Sequence, residues 1–374
     1  MKRREWMKLT AAAGVMAAMP GASALAEAAP KSSGKAEFTT EIKRLNLRHT
    51  WTTTMSSSAY RDTLHVRYTR DGITGYGEGA PIVRYKEDAI GGQKALESVR
   101  DLITSADPWC FDKLMAEIQH RIKGEYAAKS ALDIALMDWI GKKLNVPLYR
   151  HFGLDPKDAP LTTFSIGIDT PEITRQKTRE AAEFPVLKIK VGLATDEATI
   201  AAVRSVTDKP LRVDANEGWK TKEEAVEKIN WLEKQGVELV EQPLPAHMHD
   251  DIKWIRERVN LPIIADEACT SANAIPKLAE AYDGINVKLD KSGGINEGYR
   301  WIKMARALNM KVMLGCMVSS SCTITAAAHL SPLVDWVDLD GNLLIANDPY
   351  VGVKVQAGKV ILPNGPGLGI TSRS

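Results

Sequence analysis

The sequence predicts an α/β protein: a modified TIM barrel of (β/α)7β type behind an α+β N-terminal capping domain. Two observations carry this. From about residue 160, eight short apolar segments recur: "TTFSIGI", "VLKIKVG", "LRVDAN", "VELVEQP", "PIIADE", "GINVKLD", "KVMLG" and "DWVDLDG". Helical stretches such as "TKEEAVEKINWLEKQG" and "NEGYRWIKMARALN" separate them, which implies parallel pairing and a closed barrel. An open doubly wound sheet would ordinarily carry a G-x-G-x-x-G turn after its first strand. No such turn is present, and "GYGEG" lies in an earlier, antiparallel unit.

The elements follow in order. Residues 1–26 have a positive start, a short apolar run from Leu9 to Met19, and small residues in A-x-A spacing at Ala22, Ala24 and Ala26. This is the layout of a secretory signal peptide, too short to span a bilayer. Arg3-Arg4 before Trp6, Met7 and Lys8 resembles a twin-arginine signal, so export to the periplasm is expected, with no stable membrane insertion. Removing this segment takes away Lys2, Arg3, Arg4, Lys8 and Glu5, which turns a net charge of +2 into −1. Residues 27–36 read as a linker. Residues 37–155 form the capping domain. In it, "LHVRYT", "RDG" and "ITGYGEGAP" make an antiparallel unit, and a Ser/Thr-rich loop, "RHTWTTTMSSSAYRD", joins its first two strands. Three helical stretches follow; the last, "AAKSALDIALMDWIGKKL", has Leu132, Leu136, Trp139 and Ile140 at helical spacing and stops before Val146-Pro147. The barrel spans 156–345, and residues 346–374 return to the capping domain.

Lys plus Arg, 49, nearly balances Asp plus Glu, 47, so no basic stripe argues for nucleic acid. The four cysteines, Cys110, Cys269, Cys316 and Cys322, have no C-x-x-C spacing, which argues against zinc. They are expected to stay unpaired.

The active site of such a barrel lies at the C-terminal ends of its strands. Those ends carry charge. Asp214, Glu241 and Asp266 are spaced by 27 and 25 residues, one strand–helix unit each, so they converge from neighbouring strands. Buried carboxylates repel one another unless a cation relieves them. An oxygen-only set favours Mg2+, one per subunit, with Mn2+ as the other choice. In "LKIKVG", alternation sends Lys188 and Lys190 to one face. Lys288 sits on the sixth strand, across the barrel from the second. Partly desolvated lysines beside a cation have a lowered pKa and can act as bases. Two of them facing each other could remove a proton on one face and return it on the other. His247 and His249 read as solvated loop residues, His329 as a packing residue, and Trp219 as a mouth or packing residue.

These residues resemble the enolase superfamily, and within it the dipeptide epimerases of the muconate-lactonizing subgroup. The superfamily's use of a lysine or histidine base with magnesium is already established. Its K-x-K is here Lys188-Ile189-Lys190, its metal ligands correspond to Asp214, Glu241 and Asp266, and its sixth-strand lysine to Lys288; Lys291 is read as structural. "GPGLGI" near the end also resembles family segments. The resemblance implies catalytic roles for Lys190, Lys288 and Lys188. It also implies that Asp338 and Asp340, the D-x-D of the eighth strand, hold the ammonium group of a dipeptide substrate, with Ser56, Met317 and Ser319 among the substrate contacts. The expected reaction inverts the α-carbon of the second residue of an Ala-Xaa dipeptide. The middle of the loop over the mouth has no cation, so a small or uncharged Xaa is favoured, as in Ala-Ala, with Ala-Glu next; Arg48, Arg61 and Arg84 flank that loop. A homo-oligomer is expected. N-acylamino acid racemase, o-succinylbenzoate synthase and cycloisomerase activities need the same lysines and metal but no ammonium site. An exported solute-binding protein on an inactive barrel is the non-enzymatic reading.

Overall fold

A computed structural model describes residues 34–373. The expected signal peptide and most of the linker lie outside the described residues. Ala36, expected in that linker, is already buried, and its N–H donates to the Thr104 carbonyl.

Three antiparallel strands come first among the described residues: β1 (Glu37–Thr52), β2 (Ser57–Arg70) and β3 (Ile73–Gly79). The stretch expected as a long loop is mostly strand. Trp51 pairs with Ser58 and Thr52 with Ser57, leaving only residues 53–56 to turn. β-Branched threonines suit an extended hairpin, which explains the difference. The β1–β2 register shifts between Asn46 and Trp51. There β1 bonds instead to the loop beyond the barrel, through Leu47 and Ile345.

The helix Tyr126–Leu144 is buried on nearly every side and lies across β3. Gly75, Gly77 and Gly79 alternate along that strand and face Ala135, Ala131 and Ala127, one helical turn apart. A methyl group on any of them would come within 2.0 Å of a helix carbonyl oxygen. The "GYGEG" pattern is therefore a packing surface where backbone meets backbone.

Eight parallel strands follow in sequence order: β4 (Phe164–Ile166), β5 (Leu187–Lys190), β6 (Leu211–Asp214), β7 (Val237–Glu241), β8 (Ile263–Ala265), β9 (Gly284–Val287), β10 (Lys311–Gly315) and β11 (Trp336–Asp338). They coincide with the eight apolar segments of the sequence. A parallel bridge between Thr162 and Val337 joins the first strand to the last, and the Thr162 hydroxyl accepts from Leu339 N–H at 2.8 Å. Helices link each strand to the next, giving (β/α)7β. Leu239, Ile264 and Met313 form a separate buried cluster with Trp336 against it. Leu239 stands two residues before Glu241 on the same face of β7.

Several polar contacts join the capping strands to the barrel. Glu78, fully buried, accepts from the Ser320 and Thr323 N–H groups at the start of the helix Ser321–Ala328, a favourable place for a carboxylate. Ala80 N–H donates to Asp290, and the Thr54 hydroxyl donates to the Asn216 carbonyl. Leu368 N–H, from the C-terminal segment, donates to Asp138 of the long capping helix.

His329 is a packing residue. It accepts from Tyr149 N–H at Nδ1, bonds the Leu368 carbonyl through Nε2, and stacks on the Tyr149 ring. Burial pushes its pKa down to about 4. Above pH 7 it is neutral both folded and unfolded and contributes nothing to pH dependence. Between about 6.5 and 4 the unfolded chain takes up a proton that the folded site refuses, so stability falls as pH falls. We expect His329→Gln to flatten this part of the curve of melting temperature against pH; an unchanged slope from pH 7 to 5 would count against the assignment.

Candidate active site

Lys188, Lys190, Asp266, Lys288, Asp338 and Asp340 line one cavity of about 140 Å3 at the C-terminal end of the barrel, and Asp214 and Glu241 lie buried beside it against Lys188. Register explains the meeting: Lys190 pairs with Asp214, and Asp214 with Glu241, at one level of adjacent strands. Asp266 follows β8 by one residue. The backbone turns sharply after two of these acids, with positive φ at Asn216, Glu217 and Gln242. Such strained conformations persist where surrounding structure enforces them. Gln242 supplies part of that enforcement, since its Oε1 accepts from both Asp266 N–H and Ala268 N–H.

Lys188 is 1 % exposed and lies 2.7 Å from Glu241, 2.7 Å from Asp338 and 3.3 Å from Asp214. Lys190 Nζ is 2.6 Å from Asp214, and Lys288 Nζ is 2.7 Å from Asp266. Lys291 bonds the Asp266 carboxylate, the Asp266 carbonyl and the Asn286 carbonyl, which is a structural role. Lys190 and Lys288 both line the cavity, from the second and sixth of the eight strands.

Electrostatics here differ from the sequence expectation of lysines with lowered pKa. Burial opposes the charge of Lys188, but Asp338, Glu241 and Asp214 outweigh it and hold the ammonium well above its ordinary range. Burial likewise opposes the charge of Lys288, but Asp266, Glu241 and Asp214 together outweigh it and hold the ammonium above its ordinary range. The acids split. Burial and then Asp214 push Glu241 up to about 7. Burial and then Asp338 push Asp340 up to about 7. Burial also works against Asp338, yet Lys188 holds it far below the usual carboxylate range.

Asp214, Glu241 and Asp266 fit a divalent cation. Each offers one carboxylate oxygen, all within 4.8 Å of one another, and all three residues are buried. Glu241 Oε2 makes no hydrogen bond, although the Lys188 ammonium lies beside it. An all-oxygen set suits magnesium or manganese.

The D-x-D pair is held from β4 and the residue just before it. The Thr163 and Ser165 hydroxyls donate to Asp338, and Ser165 N–H donates to Asp340. Ser56 and Met317 line the cavity. Ser319 is not among the described residues lining it: it is fully buried and donates to the Met317 carbonyl. Its position after β10 suggested the mouth, but the chain turns inward there to start a helix. Arg84 lines the cavity paired to Glu217 through two bonds of 2.7 Å. Arg61 lines it too, with no ion-pair partner among the described residues, and Arg48 bonds the Leu343 carbonyl instead.

Sequence reasoning missed Thr163, Ser165, Asn286, Gln242 and Trp51. Period-2 alternation carried the signal for three of them. Asn286 stands two residues before Lys288 and donates to Glu241 at 2.7 Å; Thr163 and Ser165 alternate along the first barrel strand. Gln242 and Trp51 leave no such trace.

Comparison with known proteins agrees with this architecture. Residues 38–153 match the mandelate racemase/muconate lactonizing enzyme N-terminal domain, and residues 172–374 the enolase C-terminal domain-like family. An L-Ala-D/L-Glu epimerase of Bacteroides thetaiotaomicron is 41% identical over 90% of this chain and 88% of its own. The chain belongs to the dipeptide epimerase family of the enolase superfamily. An L-Ala-D/L-amino acid epimerase of Pedosphaera parvula is also 41% identical, over 86% of this chain and 94% of its own. Among solved structures, a dipeptide epimerase from Enterococcus faecalis complexed with Mg and L-Leu-L-Tyr superposes with a TM-score of 0.85 at 32% identity. That superposition covers 91% of this chain and all of the other.

We expect magnesium to raise the melting temperature by several °C at a hundred times its Kd, where linkage supplies about 2.7 kcal/mol. Glu241→Gln should remove most of that shift; an undiminished shift would place the ion elsewhere.

Proposed function

We propose that this chain is a dipeptide epimerase that inverts the α-carbon of the second residue of an Ala-Xaa dipeptide. The observation that carries the reading is the placement of Lys190 and Lys288 on the second strand and at the end of the sixth of eight barrel strands, both lining one cavity beside three convergent buried acids. A magnesium ion on Asp214, Glu241 and Asp266 would offset the substrate carboxylate's charge and the charge that builds as the α-proton leaves. Lys188, pinned between carboxylates, supplies a fixed positive charge beside the same group. Lys190 and Lys288 line the cavity from opposite sides of the strand order, each paired to one carboxylate. One takes the α-proton and the other returns a proton from the far side, which inverts the centre. Asp338 and Asp340, held by Thr163 and Ser165, receive the substrate ammonium in charge-assisted hydrogen bonds.

The small, partly apolar cavity supports a small or uncharged second residue, as the sequence suggested. Arg61 adds support for an acidic one. It is half-buried, burial lowers its pKa, and no carboxylate pairs with it among the described residues. Ala-Ala, Ala-Ser and Ala-Glu are therefore the substrates of choice.

The test is proton exchange. In deuterated water with magnesium, Ala-Xaa dipeptides should gain deuterium at the second α-carbon with inversion, followed by NMR. Lys190→Ala and Lys288→Ala should each cut epimerisation by about 10²–10⁴-fold while leaving exchange for one stereoisomer, opposite in the two variants. Exchange of both isomers persisting in either variant would remove the two-base assignment. Asp338→Asn separates this reading from N-acylamino acid racemisation, because an N-acyl substrate has no ammonium. Charged hydrogen bonds are worth about 1.5–3 kcal/mol, so kcat/KM for Ala-Ala should fall ten- to hundredfold. A parent protein faster on N-acylamino acids than on dipeptides would overturn the epimerase reading.

A further inference from the structure

A second recess of about 60 Å3 adjoins the active-site cavity on its β4 side. Trp51, Ser165 and Leu344 line both spaces, so they stand where the two meet. Ser165 is the residue whose N–H holds Asp340 and whose hydroxyl bonds Asp338. This fixes what comes near the boundary. An ammonium bound by those carboxylates sits about 2.8 Å from their oxygens, and the β-carbon of the residue bearing it lies only about 2.5 Å further. The first side chain of a bound dipeptide must therefore emerge beside Ser165, with Trp51 and Leu344 ahead of it.

Those two residues make a firm wall. Both pack on the small apolar cluster of Leu45, Val318 and Ile345. The Trp51 ring also rests on Gly167, where an added methyl would come within 3.4 Å of it. Behind the wall, Leu47, Phe164 and Leu343 give the recess an apolar lining. Most of its charged rim is paired. His49 pairs with Glu180 at 2.6 Å, Lys177 with Asp169 at 2.9 Å, and Arg48 donates to the Leu343 carbonyl. Of these rim charges only the exposed Arg48 pairs with no carboxylate among the described residues, and it is turned to the Leu343 carbonyl.

We propose that Trp51 and Leu344 form a partition limiting the substrate's first residue to alanine size, and that the recess behind it is a latent pocket for a larger apolar side chain. This rests on the dipeptide reading above.

The test is competition in one tube. Equimolar Ala-Ala and Leu-Ala are incubated with the magnesium-loaded protein in deuterated water, and the ratio of deuterium entering their second residues is read. The ratio reports relative kcat/KM and does not depend on how much of a variant is folded. One methylene more or less in an apolar pocket discriminates by about 10–200-fold, so the parent should favour Ala-Ala at least tenfold. Leu344→Ala and Trp51→Leu should each move the ratio toward Leu-Ala by tenfold or more, and the milder Leu344→Val should move it the same way by less. A parent that takes Leu-Ala as readily as Ala-Ala overturns the proposal. So does an unchanged ratio in the variants, or loss of both substrates in all three, which would give the wall a purely structural role. Failure of the dipeptide reading itself is seen separately, as a parent that exchanges no dipeptide.

Discussion

The constraint that organises this molecule is the burial of many like charges in one small space. Asp214, Glu241, Asp266, Asp338 and Asp340 all lie at the end of one barrel, each less than a tenth exposed. An unpaired charge in such a place is severely destabilising, and removing one partner of a buried pair costs about 3–5 kcal/mol. The surrounding chain is arranged to prevent that. Lys188 binds three of these acids, Lys291 ties Asp266 to the backbone, Asn286 donates to Glu241, and Ser165 and Thr163 hold the pair on β11. The acids are held apart at distances a small cation can bridge, with Glu241 keeping one oxygen free of hydrogen bonds.

That arrangement needs the barrel closed and the mouth covered, and the capping domain contributes to both. Its three glycines bring β3 against the backbone of the long helix, and Glu78 on the same strand reaches the start of the helix after β10. Alternation makes this possible: glycines face the helix while Tyr76 and Glu78 face the other way. The hairpin of β1 and β2 then reaches over the barrel, where Trp51 and Ser56 complete the cavity. Packing on one face of a strand and site assembly on the other are parts of one design.

Most of the barrel was legible in the sequence because its strands are short apolar runs with charge at one end, and because unit length fixes which acids become neighbours. Asp214, Glu241 and Asp266 could be found this way, as could the opposition of the second and sixth strands. Contacts between distant segments were less legible. The hairpin over the mouth read as loop because Ser and Thr suit turns as well as strands. Ser319 read as a lining residue because nothing in "MVSSS" tells which serine starts the helix. Arg61 read as a flanking residue because the length of the hairpin, and hence what its strands carry inward, is set by the pairing of β1 with β2.

The K-x-K of β5 shows how one strand can give two identical side chains different work. Lys188 stands one pleat deeper, touches three carboxylates and is almost fully buried, so its charge is fixed and its protonation is held. Lys190, at the level of the acids, pairs among the described residues only with Asp214 and opens onto the cavity, with the Trp51 ring 6.0 Å away. A proton carrier must be able to part with its proton, and that requires few competing anions. A cation drawing on the charge of Asp214 would loosen the one anionic contact of Lys190, while Lys188 would keep Asp338. The same reasoning applies to Lys288, whose ion-pair partner is Asp266. The two lysines assigned to proton transfer are thus those whose carboxylate partners are themselves candidate metal ligands, and the lysine assigned a fixed charge is the one whose partners extend beyond the metal set.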